Sequence, residues 1–176
     1  MSLISGNSFK MSKAKQFFIK KNCSAVEPLQ NLLDDFSADR ANFATRSESI
    51  LALGLFLREH GSRWEEISLI TCAVNYCDTS ADHEIDHSLL SDIMATLHAL
   101  NEDIERMGLN NIHEIKHLLS FNELSQLYGV SKLGKLVKPL LDELIRWQIL
   151  NLQATKEEAM AFMLSQKAVF IAKYQA

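Results

Sequence analysis

Apolar residues recur every three or four positions along most of the chain, as in Ile85, Leu89, Ile93, Leu97 and Leu100, and again in Leu136, Leu140 and Leu144. That period turns one face of a helix toward a core. No segment sustains the alternation of period two that a half-buried strand needs, so the pattern predicts an all-α fold, a single compact multi-helix bundle. Four capping boxes, in which a short polar side chain and an acid three residues on satisfy each other's backbone amides, mark helix starts. They are Ser24-Ala-Val-Glu27, Ser62-Arg-Trp-Glu65, Asn111-Ile-His-Glu114 and Thr155-Lys-Glu-Glu158, with Thr79-Ser-Ala-Asp82 a weaker form. Gly61, Gly108 and Gly129 fall where helices should stop. Together these marks predict about eight helices, over residues 12–21, 25–36, 41–60, 63–77, 80–107, 111–128, 131–150 and 156–174. Pro139 either kinks the seventh or marks a fresh start at Lys138. Phe43, Ile50, Leu53, Leu57, Trp64, Ile67, Ile70 and Val74 supply the expected bulk of the core.

Composition narrows the class without naming a function. With 47 % hydrophobic residues, 6 Gly and 2 Pro in 176, the chain is neither collagen-like nor of low complexity. Its length fits one helical domain over residues 23–176, preceded by a basic arm over residues 1–22. No apolar run approaches the roughly 18 residues of a membrane span; the best, Ile50 to Leu57, ends at Arg58 and Glu59. Cys23, Cys72 and Cys77 are odd in number and follow no disulfide spacing, which points to free thiols and a cytoplasmic location.

The net charge of −4 hides a segregation along the chain. Residues 1–22 carry five lysines and no acid, residues 61–127 carry twelve acids against three bases, and residues 128–176 carry seven bases against four acids. Such blocks present different faces to partners.

Two constellations could carry chemistry. His83-Glu84-Ile85-Asp86-His87 and His113-Glu114-Ile115-Lys116-His117 both fit H-E-x-x-H, in which two histidines four apart on one helix face bind zinc. His83, His87, His113 and His117 are therefore candidate metal ligands. On a helix, however, both pairs turn away from the apolar stripe, and both pentads open helices, where acids are favoured by the helix dipole alone. Exposed histidines at helix starts explain the same letters.

The second runs from Phe121 through Leu127-Tyr-Gly-Val-Ser131 to Leu150. A short helix, a glycine turn and a second helix resemble the helix-turn-helix of winged-helix regulators. The resemblance implies that Ser131, Lys132, Lys135 and Lys138 face phosphates and groove edges. Two helices packed across a Gly turn, with lysines on the wet face, give the same pattern.

No G-x-S-x-G, P-loop or G-x-G-x-x-G is present, and no cofactor is called for. The expectation from sequence is thus a non-enzymatic, regulatory or adaptor-type helical protein acting through another protein, with a homodimer as a further form. A DNA-binding regulator using residues 121–150 and a metal-binding protein using the two pentads are the alternatives.

Overall fold

The structure, a computed structural model, describes residues 13–79, 87–129 and 136–174. These residues are helical with no strand. The elements are α1 (Lys13–Ala38), α2 (Arg40–Phe43), α3 (Ser47–His60), α4 (Trp64–Thr79), α5 (His87–Arg106), α6 (Phe121–Tyr128), α7 (Val137–Leu150) and α8 (Lys156–Tyr174), with 3-10 turns at Gly61–Arg63 and Ile112–Glu114. The expected all-α class is what the chain adopts.

The first departure lies in α1, where the two expected helices over 12–21 and 25–36 form one continuous element. Ser24 does not start a helix; it sits within one, and Pro28 follows four residues later. Proline removes the bond its N–H would make to the Ser24 carbonyl. The helix continues because Ala25, Leu29, Leu32, Leu33 and Phe36 form one buried stripe packed on α3, α4 and α5. Tertiary burial outweighs the lost bond.

The expected helix over 41–60 is instead interrupted at residues 44–46. Phe43 is fully buried and meets Phe36 edge-on at 5.1 Å. The Asn42 amide donates to the Asp39 carboxylate at 3.0 Å, holding the turn before it. Arg46 and Ser49 then donate to the two oxygens of Asp35, both at 2.8 Å, which ties α3 back to α1. The Ser49 hydrogen bond, with Arg46 beside it, holds the Asp35 carboxyl below the ordinary carboxylate range against the opposing effect of burial.

The largest departure is the expected helix over 111–128. Gly108, at φ 72°, ends the run of α5 in a backbone conformation that costs a glycine little. A 3-10 turn follows, and residues 115–120 then run without helix into α6. Ile112 and Leu119, whose spacing suggested a helical stripe, are separate anchors in two different cores. Two side chains hold this segment. Arg58 donates to the carbonyls of Ile112 and Ile115 at 3.2 and 2.6 Å. Gln148 accepts from the Leu118 amide at 3.2 Å and donates to the Lys116 carbonyl at 3.0 Å. Asn111 makes no side-chain cap, so its expected capping box does not form.

The box that does form is Ser120-Phe-Asn-Glu123, whose letters were legible in the sequence but lay inside the segment assigned to a longer helix. Thr155 and Glu158 form the expected one, at 2.7 and 3.3 Å. Gly61, Gly108 and Gly129 all take positive φ at helix ends, as expected. Ser62 lies in the 3-10 turn leading into α4, and residues 80–82 of the weaker box lie outside the described residues. Val74, expected in the core, is 40 % exposed because the outer face of α4 is left uncovered there.

The buried residues fall into two clusters. One holds Leu29, Phe36, Phe43, Leu53, Ile67, Leu100, Ile104 and Ile112. The other holds Leu119, Leu124, Tyr128, Leu136, Leu140, Leu144, Ala159 and Met163 from α6, α7 and α8. Helix α7 serves both, because Leu140 and Leu144 enter the second while Ile149 enters the first. It meets α3 at Gly54, where the missing side chain makes room for Ile149.

Candidate nucleic-acid interface

Helix α7 starts at Val137, with Pro139 in its first turn. This is the fresh start that the sequence offered as one option, and a first-turn proline sacrifices no intrahelical bond. Its buried face is Leu140, Leu144, Ile145, Gln148 and Ile149. Its solvent face carries Lys138, Asp142 and Arg146. Of the four residues proposed from sequence to face phosphates, Lys138 is exposed on this face, and Ser131, Lys132 and Lys135 lie outside the described residues.

Other bases near it are already engaged. Lys167 donates to the Leu127 carbonyl at 2.9 Å, closing the C-terminal end of α6. Tyr128 helps hold the same joint, its hydroxyl donating to the Met163 carbonyl at 3.1 Å. Lys156 pairs with Glu123, and the same carboxylate accepts from the amide and hydroxyl of Ser120. Lys156 first, then Ser120, pulls the Glu123 pKa from 4.5 down to about 2. A carboxyl depressed on folding stabilises above its ordinary pKa and loses that contribution as pH falls toward its folded value. The stability gap between the parent chain and Glu123→Gln should therefore be constant above the ordinary carboxylate range and close between pH 4.5 and about 2. Urea midpoints across that range measure it; a gap that persists at the acid end would show that Glu123 acts by packing rather than by charge.

Lys138 and Arg146 thus remain as the exposed cations of α7, without an ion pair among the described residues. Between α7 and α8 lies a cleft of about 440 Å³, lined by Pro139, Asp142, Glu143, Arg146, Gln166, Val169, Phe170 and Lys173. At the C-terminal end of α7 a second cleft, of about 470 Å³, is lined by Trp147, Asn151, Leu152, Gln153, Ala154 and Glu158. A further concavity, about 570 Å³ between α1 and α3, is bordered by Asp35, Glu48 and Glu59 against Arg46. An acidic border is the wrong sign for a polyanion.

Among the described residues the metal candidates are not brought together. His113 lies in the 3-10 turn and His117 in the non-helical segment after it, so the two share no helix face. Packing around the His117 ring, and then the Arg58 charge, lower its pKa, although much of the residue remains exposed. His87 is exposed as the first residue of α5, and His83 lies outside the described residues. No group of three His, Cys, Asp or Glu that could hold a metal ion occurs among the described residues. Cys72 is a free, buried thiol whose pKa is raised by that burial. No described helix is long and apolar enough to cross a membrane.

The chain is similar to two proteins of Schizosaccharomyces pombe. It is 28 % identical to tRNA nucleotidyltransferase cca1 over 114 residues, which are 65 % of this chain and 22 % of that protein. It is 24 % identical to tRNA nucleotidyltransferase cca2 over 123 residues, 70 % of this chain and 24 % of that one. The chain therefore matches less than a quarter of the length of either relative. No family model matches it, and no solved structure does.

These relatives overturn the expectation of a non-enzymatic adaptor acting through another protein, because both are named for an enzymatic activity on tRNA. The regulatory reading of residues 121–150 falls with it. Structurally, α7 is a core helix shared by two clusters, and among the described residues its exposed cations are Lys138 and Arg146.

Proposed function

We propose that this chain takes part in nucleotide transfer to tRNA and that its contribution is to hold the tRNA. The observation that carries the reading is the similarity to two tRNA nucleotidyltransferases, each spanning about two thirds of this chain. Its geometry lends support in the surface of α7. Lys138 and Arg146 lie two turns apart on the solvent face, and the surplus of bases over residues 128–176 continues N-terminal to them with Lys132 and Lys135.

Contacts of this kind are electrostatic and release counterions, so affinity falls linearly on a log–log plot as salt rises. Filter binding of a tRNA transcript to the purified chain should show that slope. Reversing Lys138→Glu and Arg146→Glu together should weaken binding by about tenfold or more and flatten the slope by roughly one to two units. Binding that is absent at low salt, or unchanged by the double reversal, would remove α7 from the interface.

A further inference from the structure

We infer that two copies of this chain pair through α1, the N-terminal part of that helix in one copy (residues 13–22) seating in the groove between α1 and α3 of the other. The inference is independent of the tRNA reading above.

The groove is the cavity of about 570 Å³ between α1 and α3. Asp35, late in α1, bonds Arg46 and Ser49 at the start of α3, so the two helices run antiparallel. The middle of the groove is apolar, with Pro28 and Leu32 on the α1 side and Ala52 and Leu55 on the α3 side. Glu48 and Glu59 stand at its two ends. Eleven residues make just over three turns, so both acids belong to one face of α3, about 16 Å apart along its axis. Arg46 is already paired with Asp35. Glu48 and Glu59 are exposed and outside any ion pair among the described residues. Along its length the groove therefore runs acid, apolar, acid.

The chain itself supplies the complementary pattern. Residues 13–22 read Lys-Ala-Lys-Gln-Phe-Phe-Ile-Lys-Lys-Asn, with two lysines toward each end, three large apolar residues between them and no acid. They are helical, the first part of the continuous α1. Ten residues of helix extend about 15 Å, against about 16 Å from Ser24 to Asp35 along the α1 wall of the groove. The segment cannot enter the groove of its own chain, because it continues the very helix whose later residues form that wall. A second copy related by a two-fold axis can. Laid antiparallel, residues 13–22 of each α1 lie opposite the groove of the other. Lys13 and Lys15 then come to the Glu48 end, Lys20 and Lys21 to the Glu59 end, and Phe17, Phe18 and Ile19 to the apolar middle. One rotation fills both grooves, so the assembly closes as a dimer instead of growing. The charges fix register, and apolar burial supplies the affinity.

Sedimentation velocity of the full chain over a range of concentrations should show a dimer that weakens as ionic strength rises. Two reversed chains test the contact: Glu48→Lys with Glu59→Lys, and Lys13→Glu, Lys15→Glu, Lys20→Glu and Lys21→Glu together. Each alone should be monomeric at concentrations where the parent is dimeric, with its helicity by circular dichroism unchanged. Mixed, they should pair again, because each reversed groove then meets a reversed segment and each parent groove a parent segment. Ala52→Arg places a long cation in the exposed middle of the groove and should also abolish the dimer, which serves if a reversed chain fails to fold. A parent that is monomeric at every concentration would overturn the inference and leave the groove to a basic segment of another protein. A dimer that survives the reversals and Ala52→Arg, or folded reversed chains that stay monomeric when mixed, would overturn it as well.

Discussion

Replacing Gly54 with alanine is expected to destabilise the protein by about 1–3 kcal/mol, the cost of overpacking a filled core. The sign is the informative part, because alanine in place of glycine inside an ordinary helix stabilises by roughly 0.5–1 kcal/mol. Here the new Cβ would stand 2.5 Å from Cγ2 of Ile149 and 3.5 Å from its Cδ1. Ile149 is 1 % exposed, and a β-branched side chain cannot swing one branch aside without moving the other. The strain falls on the one helix that feeds both cores, so unfolding should be sensed in each. Ile149→Ala alone should cost about 2–5 kcal/mol through the cavity it leaves. Combined with Gly54→Ala, whose methyl enters that space, the loss should be smaller than the sum of the two by on the order of 1 kcal/mol. Urea unfolding of the four proteins closes the cycle. A Gly54→Ala chain as stable as its parent would mean that α3 and α7 can part there at no cost.

Gln148→Leu should be comparably damaging for a different reason. The side chain is 4 % exposed and acts as a clasp, accepting from the Leu118 amide and donating to the Lys116 carbonyl. Leucine of similar size keeps the packing but leaves both backbone groups without their partner. Both bonds are only partly buried, so at about 0.5–1.5 kcal/mol for each a loss of roughly 1–3 kcal/mol is expected, together with faster hydrogen exchange at Leu118. Gln148→Glu separates the two bonds. A carboxylate accepts from Leu118 but cannot donate to Lys116, and its charge is buried. Burial raises a carboxyl pKa, so this variant should regain stability as pH falls and the acid becomes a donor again. If Gln148→Glu is as stable as the parent at neutral pH, the donor bond to Lys116 contributes nothing.

Much of the architecture was legible before folding. The three- and four-residue spacing specified helices, and three glycines marked helix ends where the backbone indeed turns left-handed. The capping letters at Thr155 were read correctly because they depend on atoms within a few residues of the signal, and of the two options that Pro139 offered, a kink or a fresh start, the structure takes the fresh start. The errors share one cause. Ser24 and Pro28 look like a helix start, yet the stripe from Ala25 to Phe36 is buried against α3, α4 and α5, and that distant contact keeps the helix whole. Ile112, Ile115 and Leu119 keep helical spacing, yet Arg58 and Gln148 arrive from far along the chain and take the backbone groups a helix would have used.

The candidate site divides the same way. Lys138 could be named from its place in a basic segment. The place of Trp147 at the edge of a cleft could not be read, because in sequence it is one more apolar residue among those of α7; it depends on Phe162, fifteen residues on in another helix, and on a loop folding beside it. Sequence alone determined the helical class, the helix stops and where charge gathers, since these follow from covalent spacing and side-chain chemistry. Only the tertiary structure decided which helices fuse, which segment stays open and which aromatic ring borders a cleft, because each is settled by burial and hydrogen bonds between residues far apart in the chain.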